Sequence, residues 1–107
     1  MPRKPRKSTK ALPPSLNTFS LARRKVLFTV HAAPGSSVFL VGSFNGWDTT
    51  CNPMHDRDGN GTFTLLKFLP TGHHEYKFYI NGEWTPDSAN PNTVVTDLGT
   101  LNSVLEL

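Results

Sequence analysis

The dipeptide Asn81-Gly82 constrains this 107-residue chain more than any other feature, because strand-forming residues stand on both sides of it. Asn-Gly favours a two-residue type I′ turn, in which both central residues need positive φ. A turn that tight pairs Ile80 with Glu83, Tyr79 with Trp84 and Phe78 with Thr85. Alternate strand residues point to opposite sides, so Tyr76, Phe78 and Ile80 share one face while Lys77 and Tyr79 share the other. Directly paired residues face the same way, which sets Trp84 with Lys77 and Tyr79, opposite the apolar set. The hairpin therefore predicts a buried apolar face and an outer face on which a tryptophan stands beside a lysine.

The rest of the pattern agrees with strands. Val26, Phe28 and Val30 alternate with Leu27, Thr29 and His31, and Ala33-Pro34-Gly35-Ser36 then makes a turn. Val38 to Val41 is an apolar run suited to a central strand, and Ser43 to Asp58 is a loop containing Asn45-Gly46-Trp47-Asp48. Thr62 to Leu69 and Thr93 to Thr96 follow, then Leu101 to Leu107. About seven short strands at spacings of roughly ten residues, with no long helical period, predict an all-β sandwich. The expected core is Phe28, Val38, Leu40, Phe63, Leu65, Tyr76, Phe78 and Ile80.

Charge divides the chain at residue 24. Residues 1 to 24 hold seven basic side chains and no acid, whereas residues 25 to 107 hold four basic residues against all eight acids. The first segment also carries Pro2, Pro5, Pro13 and Pro14 and too little apolar surface to offset its ordering entropy. It is expected to be a disordered basic tail on a single domain spanning 25 to 107. Within it Leu12, Leu16 and Phe19 have the spacing of a short amphipathic turn. No run of about twenty apolar residues is present to cross a bilayer. The basic start has no apolar stretch behind it, unlike a secretory signal, although a basic, acid-free tail is compatible with a transit peptide. Cys51 is alone, so no internal disulfide forms and a cytoplasmic setting is the expectation.

Chemistry for catalysis or metal binding is thin. Asp56-Arg-Asp58-Gly-Asn60-Gly61 begins like a calcium loop, but Lys67 occupies the twelfth position where a bidentate Glu belongs, so the segment reads as a turn. His73 and His74 are adjacent strand residues facing opposite ways and do not suit one metal ion. No nucleophile elbow, phosphate-cradling loop or Ser/His/Asp set is found, and no catalytic residue, cofactor or metal is expected. What remains is the aromatic face. Trp47 and Trp84 both follow turn sequences. Facing alone places Trp84 outside, while Trp47, in a loop, is compatible with either a core or a surface position. Two exposed indoles beside Lys77 suit a flat, hydroxyl-rich ligand, with rings against the C–H face of a pyranose and polar groups on its hydroxyls.

Four ordered motifs carry a family resemblance: Val38-Phe-Leu-Val-Gly-Ser-Phe-Asn-Gly-Trp-Asp48, Leu69-Pro-Thr-Gly72, Tyr76-Lys-Phe-Tyr-Ile-Asn-Gly-Glu-Trp84 and Leu98-Gly-Thr-Leu-Asn102. Residues 25 to 107 resemble the glycogen-binding carbohydrate module found in the β subunit of AMP-activated protein kinase, in branching and debranching enzymes and in plant glucan phosphatases. The resemblance implies an early-set immunoglobulin-like β-sandwich and non-catalytic binding of α-1,4-linked glucan. It assigns sugar contacts to Trp47, Lys77, Trp84, Leu98, Thr100 and Asn102. It also implies a glycan-metabolising enzyme or kinase as a partner. A protein-interaction or scaffold module, using the basic tail or the same aromatic face, stands as the alternative. Nucleic-acid binding through the tail would show as steep salt dependence and is not the expectation.

Overall fold

The computed structural model describes residues 23–107. Among them the chain forms strands β1 (Arg23–His31), β2 (Val38–Gly42), β3 (Thr62–Pro70), β4 (His73–Ile80), β5 (Glu83–Thr85), β6 (Thr93–Val95) and β7 (Leu101–Glu106). One 3-10 turn, Ser43–Asn45, follows β2. β1 and β3 pair antiparallel as one sheet, and the other five strands make the second. The expected all-β, immunoglobulin-like sandwich of seven antiparallel strands is what the chain builds. The expected tail, with its Leu12, Leu16 and Phe19, lies outside the described residues except for Arg23 and Arg24. Those two are already in β1, where Arg23 pairs with Pro70 and Arg24 with Leu69, so the strand begins earlier than Lys25.

β4 organises the larger sheet. Along one edge it pairs with β2, Val38 opposite Ile80 through Gly42 opposite Tyr76. Its other edge is shared end to end by two strands. β7 takes His73 to Tyr76, and β5 takes Phe78 to Ile80. The hairpin has the expected register, Tyr79 opposite Trp84 and Ile80 opposite Glu83. Asn81 at φ 50° and Gly82 at φ 83° have the two positive φ values that a type I′ turn demands.

The inner faces meet over Phe28, Val38, Leu40, Met54, Phe63, Leu69, Tyr76 and Phe78. Phe28 of β1 meets Tyr76 of β4 edge to face at 5.1 Å between ring centroids, and Tyr76 meets Phe78 at 5.9 Å, so one aromatic row ties the two sheets together. Each large apolar side chain buried this way contributes roughly 1.5–3 kcal/mol of transfer free energy. Two expected core residues, Leu65 and Ile80, are only half-buried and pack against the margin of the cluster. Burial also raises the Tyr76 hydroxyl pKa, helped by Asp87, which accepts its hydrogen bond at 2.7 Å.

Met54 reaches the core through a path that the sequence shows only as loop. The Leu40 N–H donates to the Asn52 carbonyl at 3.0 Å, and the Met54 N–H to the Val38 carbonyl at 2.8 Å. One residue later His55 exchanges two backbone hydrogen bonds with Thr64, at 3.0 and 2.9 Å. The segment thus pairs first with the edge of β2 and then with the edge of β3. It closes one side of the sandwich and drives Met54 inward. The acid-rich turn after it is local: both Asp56 carboxylate oxygens accept backbone N–H groups, from Asn60 at 3.1 Å and Gly61 at 2.7 Å.

Candidate functional site

Three segments converge on the outer face of the larger sheet. The first is β4 itself. Lys77 lies between Val41 on β2 and the β5–β7 edge, with only 8% of its surface exposed. Its Nζ donates to the Thr100 hydroxyl at 3.2 Å, so the ammonium is held at a fixed point over the sheet. Tyr79 and Trp84 are the cross-strand pair of the hairpin, with ring centroids 4.9 Å apart. Trp84 remains 47% exposed. The outward facing deduced from the turn is what the backbone does.

The second segment brings Trp47 in. After β2 the chain turns through Ser43–Asn45, and Asn45 brackets the strand end: its Oδ1 accepts the Gly42 N–H at 3.1 Å and its Nδ2 donates to the Leu40 carbonyl at 3.1 Å. Gly46 and Trp47 both take left-handed conformations, φ 68° and 60°, and the Trp47 N–H returns to the Gly42 carbonyl at 3.0 Å. Positive φ is uncommon for a bulky residue and costs on the order of 1 kcal/mol, so the surrounding hydrogen bonds must hold it. Gly42 makes the close turn possible. A Cβ there would sit 2.5 Å from the Glu75 carbonyl oxygen and 2.8 Å from the Phe44 ring. The result is a Trp47 indole 37% exposed, 6.5 Å from that of Trp84 and inclined to it by 63°. Trp47 is a surface residue, the alternative that facing alone left open.

The third segment is the connection from β6 to β7. Thr96 organises it: the Gly99 N–H donates to the Thr96 carbonyl at 2.9 Å, while Thr96 Oγ1 accepts the N–H groups of Leu98 and Thr100 and meets the Thr100 hydroxyl at 2.8 Å. Leu98 is left at the tip, 90% exposed. Asn102, at the start of β7, is 8% exposed and donates through Nδ2 to Glu75 Oε1 at 3.0 Å. Thr96 is the residue sequence reasoning missed. Its signal was available, since a Thr followed at i+3 by Gly is a usual start for a side-chain-closed turn.

Together Trp47, Lys77, Trp84, Leu98, Thr100 and Asn102, the six residues named from sequence, line one open depression of about 400 Å³, with Thr96 as a seventh. Two indoles form its apolar wall, and an ammonium, an amide and two hydroxyls supply its polar groups. Among the described residues no cluster of three His, Cys, Asp or Glu is arranged to hold a metal ion. His73 and His74 do face opposite ways: His74 is buried with its ring nitrogen 2.7 Å from the Pro70 carbonyl, while His73 lies outside between Glu75 and Glu106. Hydrogen bonds to those carboxylates raise the His73 pKa, and the Asn102 amide, then His73, lower that of Glu75.

Residues 25–107 match the family described as the glycogen recognition site of AMP-activated protein kinase. This chain belongs to that family. Its curated relatives include the 5'-AMP-activated protein kinase subunit beta-1 of Bos taurus, 40% identical over 73 residues that make up 68% of this chain and 25% of that protein. The human beta-1 subunit is 38% identical over the same share of each, and the mouse beta-2 subunit 36% identical, with 26% of its length covered. The chain thus matches about a quarter of the length of these relatives. Among the described residues no helix is long and apolar enough to cross a membrane.

Proposed function

We propose that this module binds α-1,4-linked glucan of the glycogen or starch type, without catalysing its turnover, through the depression walled by Trp47 and Trp84. The observation that carries the reading is the pair of half-exposed indoles 6.5 Å apart at 63°. An α-1,4 linkage turns each glucosyl unit relative to the last, so the chain curves and presents successive sugar faces at an angle. Inclined platforms fit that curvature, whereas the flat ribbon of a β-1,4 chain suits coplanar ones. Lys77, Thr100 and Asn102 meet ring hydroxyls, and Leu98 covers the exposed edge. Each ring contact contributes on the order of 1 kcal/mol, so an open site of this size binds oligosaccharide in roughly the micromolar to millimolar range. Titration with maltoheptaose, followed by tryptophan fluorescence, tests the reading. Saturable quenching by maltoheptaose, absent with cellohexaose and weakened on the order of tenfold in Trp84→Ala, is the expected result. Equal response to both sugars, or none to either, would overturn it.

A second function is compatible with the first and rests on the opposite sheet. Leu27, Leu66 and Phe68 are exposed together on the outer face of β1–β3, since Leu27 pairs with Leu66 and Lys25 with Phe68. An apolar stripe next to Arg23 and Lys25 suits a protein partner. The names of the relatives, subunits of a protein kinase, favour a kinase assembly as that partner. The cytoplasm, where the lone Cys51 thiol stays reduced, is the setting that goes with both readings.

A further inference from the structure

Asn102 carries an amide whose two ends have opposite chemistry, and the structure determines which end is engaged. Glu75 Oε1 lies 3.0 Å from the Asn102 amide nitrogen. An ionised carboxylate only accepts hydrogen bonds, so the nitrogen end of the amide must face it. Glu75 is kept ionised and in place from its other side: Oε2 meets His73 Nε2 at 2.9 Å, and His73 Nδ1 meets Glu106 at 2.6 Å. Both ring nitrogens of His73 face carboxylates, an arrangement fully satisfied by the imidazolium. Asn102 is 8% exposed and lines the depression, so with its nitrogen end turned to Glu75 the amide oxygen is the other end of the group. An amide oxygen presented to the depression accepts from water until a ligand hydroxyl takes that place, and a ligand group unable to donate would leave it unsatisfied.

We infer that Glu75 is a positioning residue for the glucan site, holding Asn102 so that it offers the ligand an acceptor, and that this position selects a sugar hydroxyl acting as donor. The inference rests on the glucan reading above and adds a polarity to it. Lys77 donates and Asn102 accepts, so a hydroxyl pair bridging them is read in one direction. Asn102 is then not interchangeable with a second donor.

The test reverses the pair. Asn102→Asp alone sets two carboxylates against each other and should weaken maltoheptaose binding at least tenfold. Asn102→Asp combined with Glu75→Gln restores the hydrogen bond with its direction swapped: the Gln amide nitrogen donates to one Asp oxygen, the Gln oxygen accepts from His73, and the second Asp oxygen again offers an acceptor. Binding by the double variant should return to within about threefold of wild type. Glu75→Gln alone must turn its nitrogen end on either Asn102 or the His73 imidazolium and should weaken binding about threefold, while Glu75→Leu should weaken it about fivefold. Thermal midpoints within a few degrees of wild type show that each variant folds. A double variant as weak as Asn102→Asp alone, with both folded, would overturn the inference, as would unchanged affinity in Asn102→Asp. Trp84→Ala run in parallel separates the two failures. If it weakens binding on the order of tenfold while the Glu75 and Asn102 variants bind like wild type, the site stands and its assigned polarity falls. If the wild type binds no maltoheptaose, both fall.

Discussion

The two outer faces of this sandwich both expose large apolar side chains, yet they are organised differently. On the five-stranded sheet the exposed rings of Trp47 and Trp84 stand among polar groups that are each tied down: Lys77 to Thr100, Thr100 to Thr96, Asn102 to Glu75. On the two-stranded sheet Leu27, Leu66 and Phe68 are flanked by Thr29 and Thr64 and by the cations Arg23 and Lys25, and among the described residues the side-chain hydrogen bond at this stripe is that of Arg23 Nη1 to the Phe68 carbonyl at 3.2 Å. A ligand rich in hydroxyls needs fixed donors and acceptors as well as apolar contact, because each of its hydroxyls must be satisfied when it leaves water. A protein partner covers a broader patch with an apolar centre and brings its own hydrogen-bonding groups to the polar rim. Apolar exposure alone therefore does not distinguish the two kinds of surface; the fixed polar groups do.

The contrast breaks most severely at Gly42. Gly42→Ala forces a methyl group against the Glu75 carbonyl and the Phe44 ring, and should cost about 2–3 kcal/mol of stability by overpacking. Because the same turn sets Trp47, glucan affinity should fall with it, read by denaturant unfolding and fluorescence titration on one preparation. Next in size is the exchange of faces. Trp84→Ala should lower maltoheptaose affinity on the order of tenfold, whereas Leu27→Ser with Leu66→Ser should leave it unchanged while abolishing any protein contact made by that sheet. An equal loss from both sets of variants would erase the distinction. Thr96→Val keeps the shape but removes the hydroxyl that holds Leu98 and Thr100, and an affinity loss of about threefold is expected, with a thermal midpoint close to wild type.

The smallest effect is that of pH. Glu75 has a depressed pKa, so its contribution is present above the ordinary carboxylate value of 4.5 and is lost as pH falls through the lower folded value. His73 has a raised pKa, so its contribution is complete below 6.5 and is lost as pH rises through the higher folded value. The Asn102–Glu75–His73–Glu106 chain is therefore whole from mildly acidic to near-neutral pH. Thermal midpoints of wild type and His73→Asn should converge on the alkaline side and separate modestly between those limits. A constant difference across the range would assign His73 no electrostatic part.

Much of this was legible from local chemistry. Asn81-Gly82 specified a turn type, the turn specified a register, and the register placed Lys77, Tyr79 and Trp84 on one face, since all those steps involve neighbours in the chain. The motif resemblance brought Leu98, Thr100 and Asn102 to the same place. Tertiary structure decided what depends on distant partners: the crossing of Asn52 to His55 between two sheets, the burial of Met54, and the half-exposure of Leu65 and Ile80. It also decided the placing of Trp47, because a left-handed tryptophan is held there by Gly42, whose own lack of a side chain answers to the Glu75 carbonyl on another strand. The direction of the Asn102 amide belongs to the same group. An amide is symmetric to sequence patterns, and only the carboxylate brought beside it from β4 distinguishes its two ends.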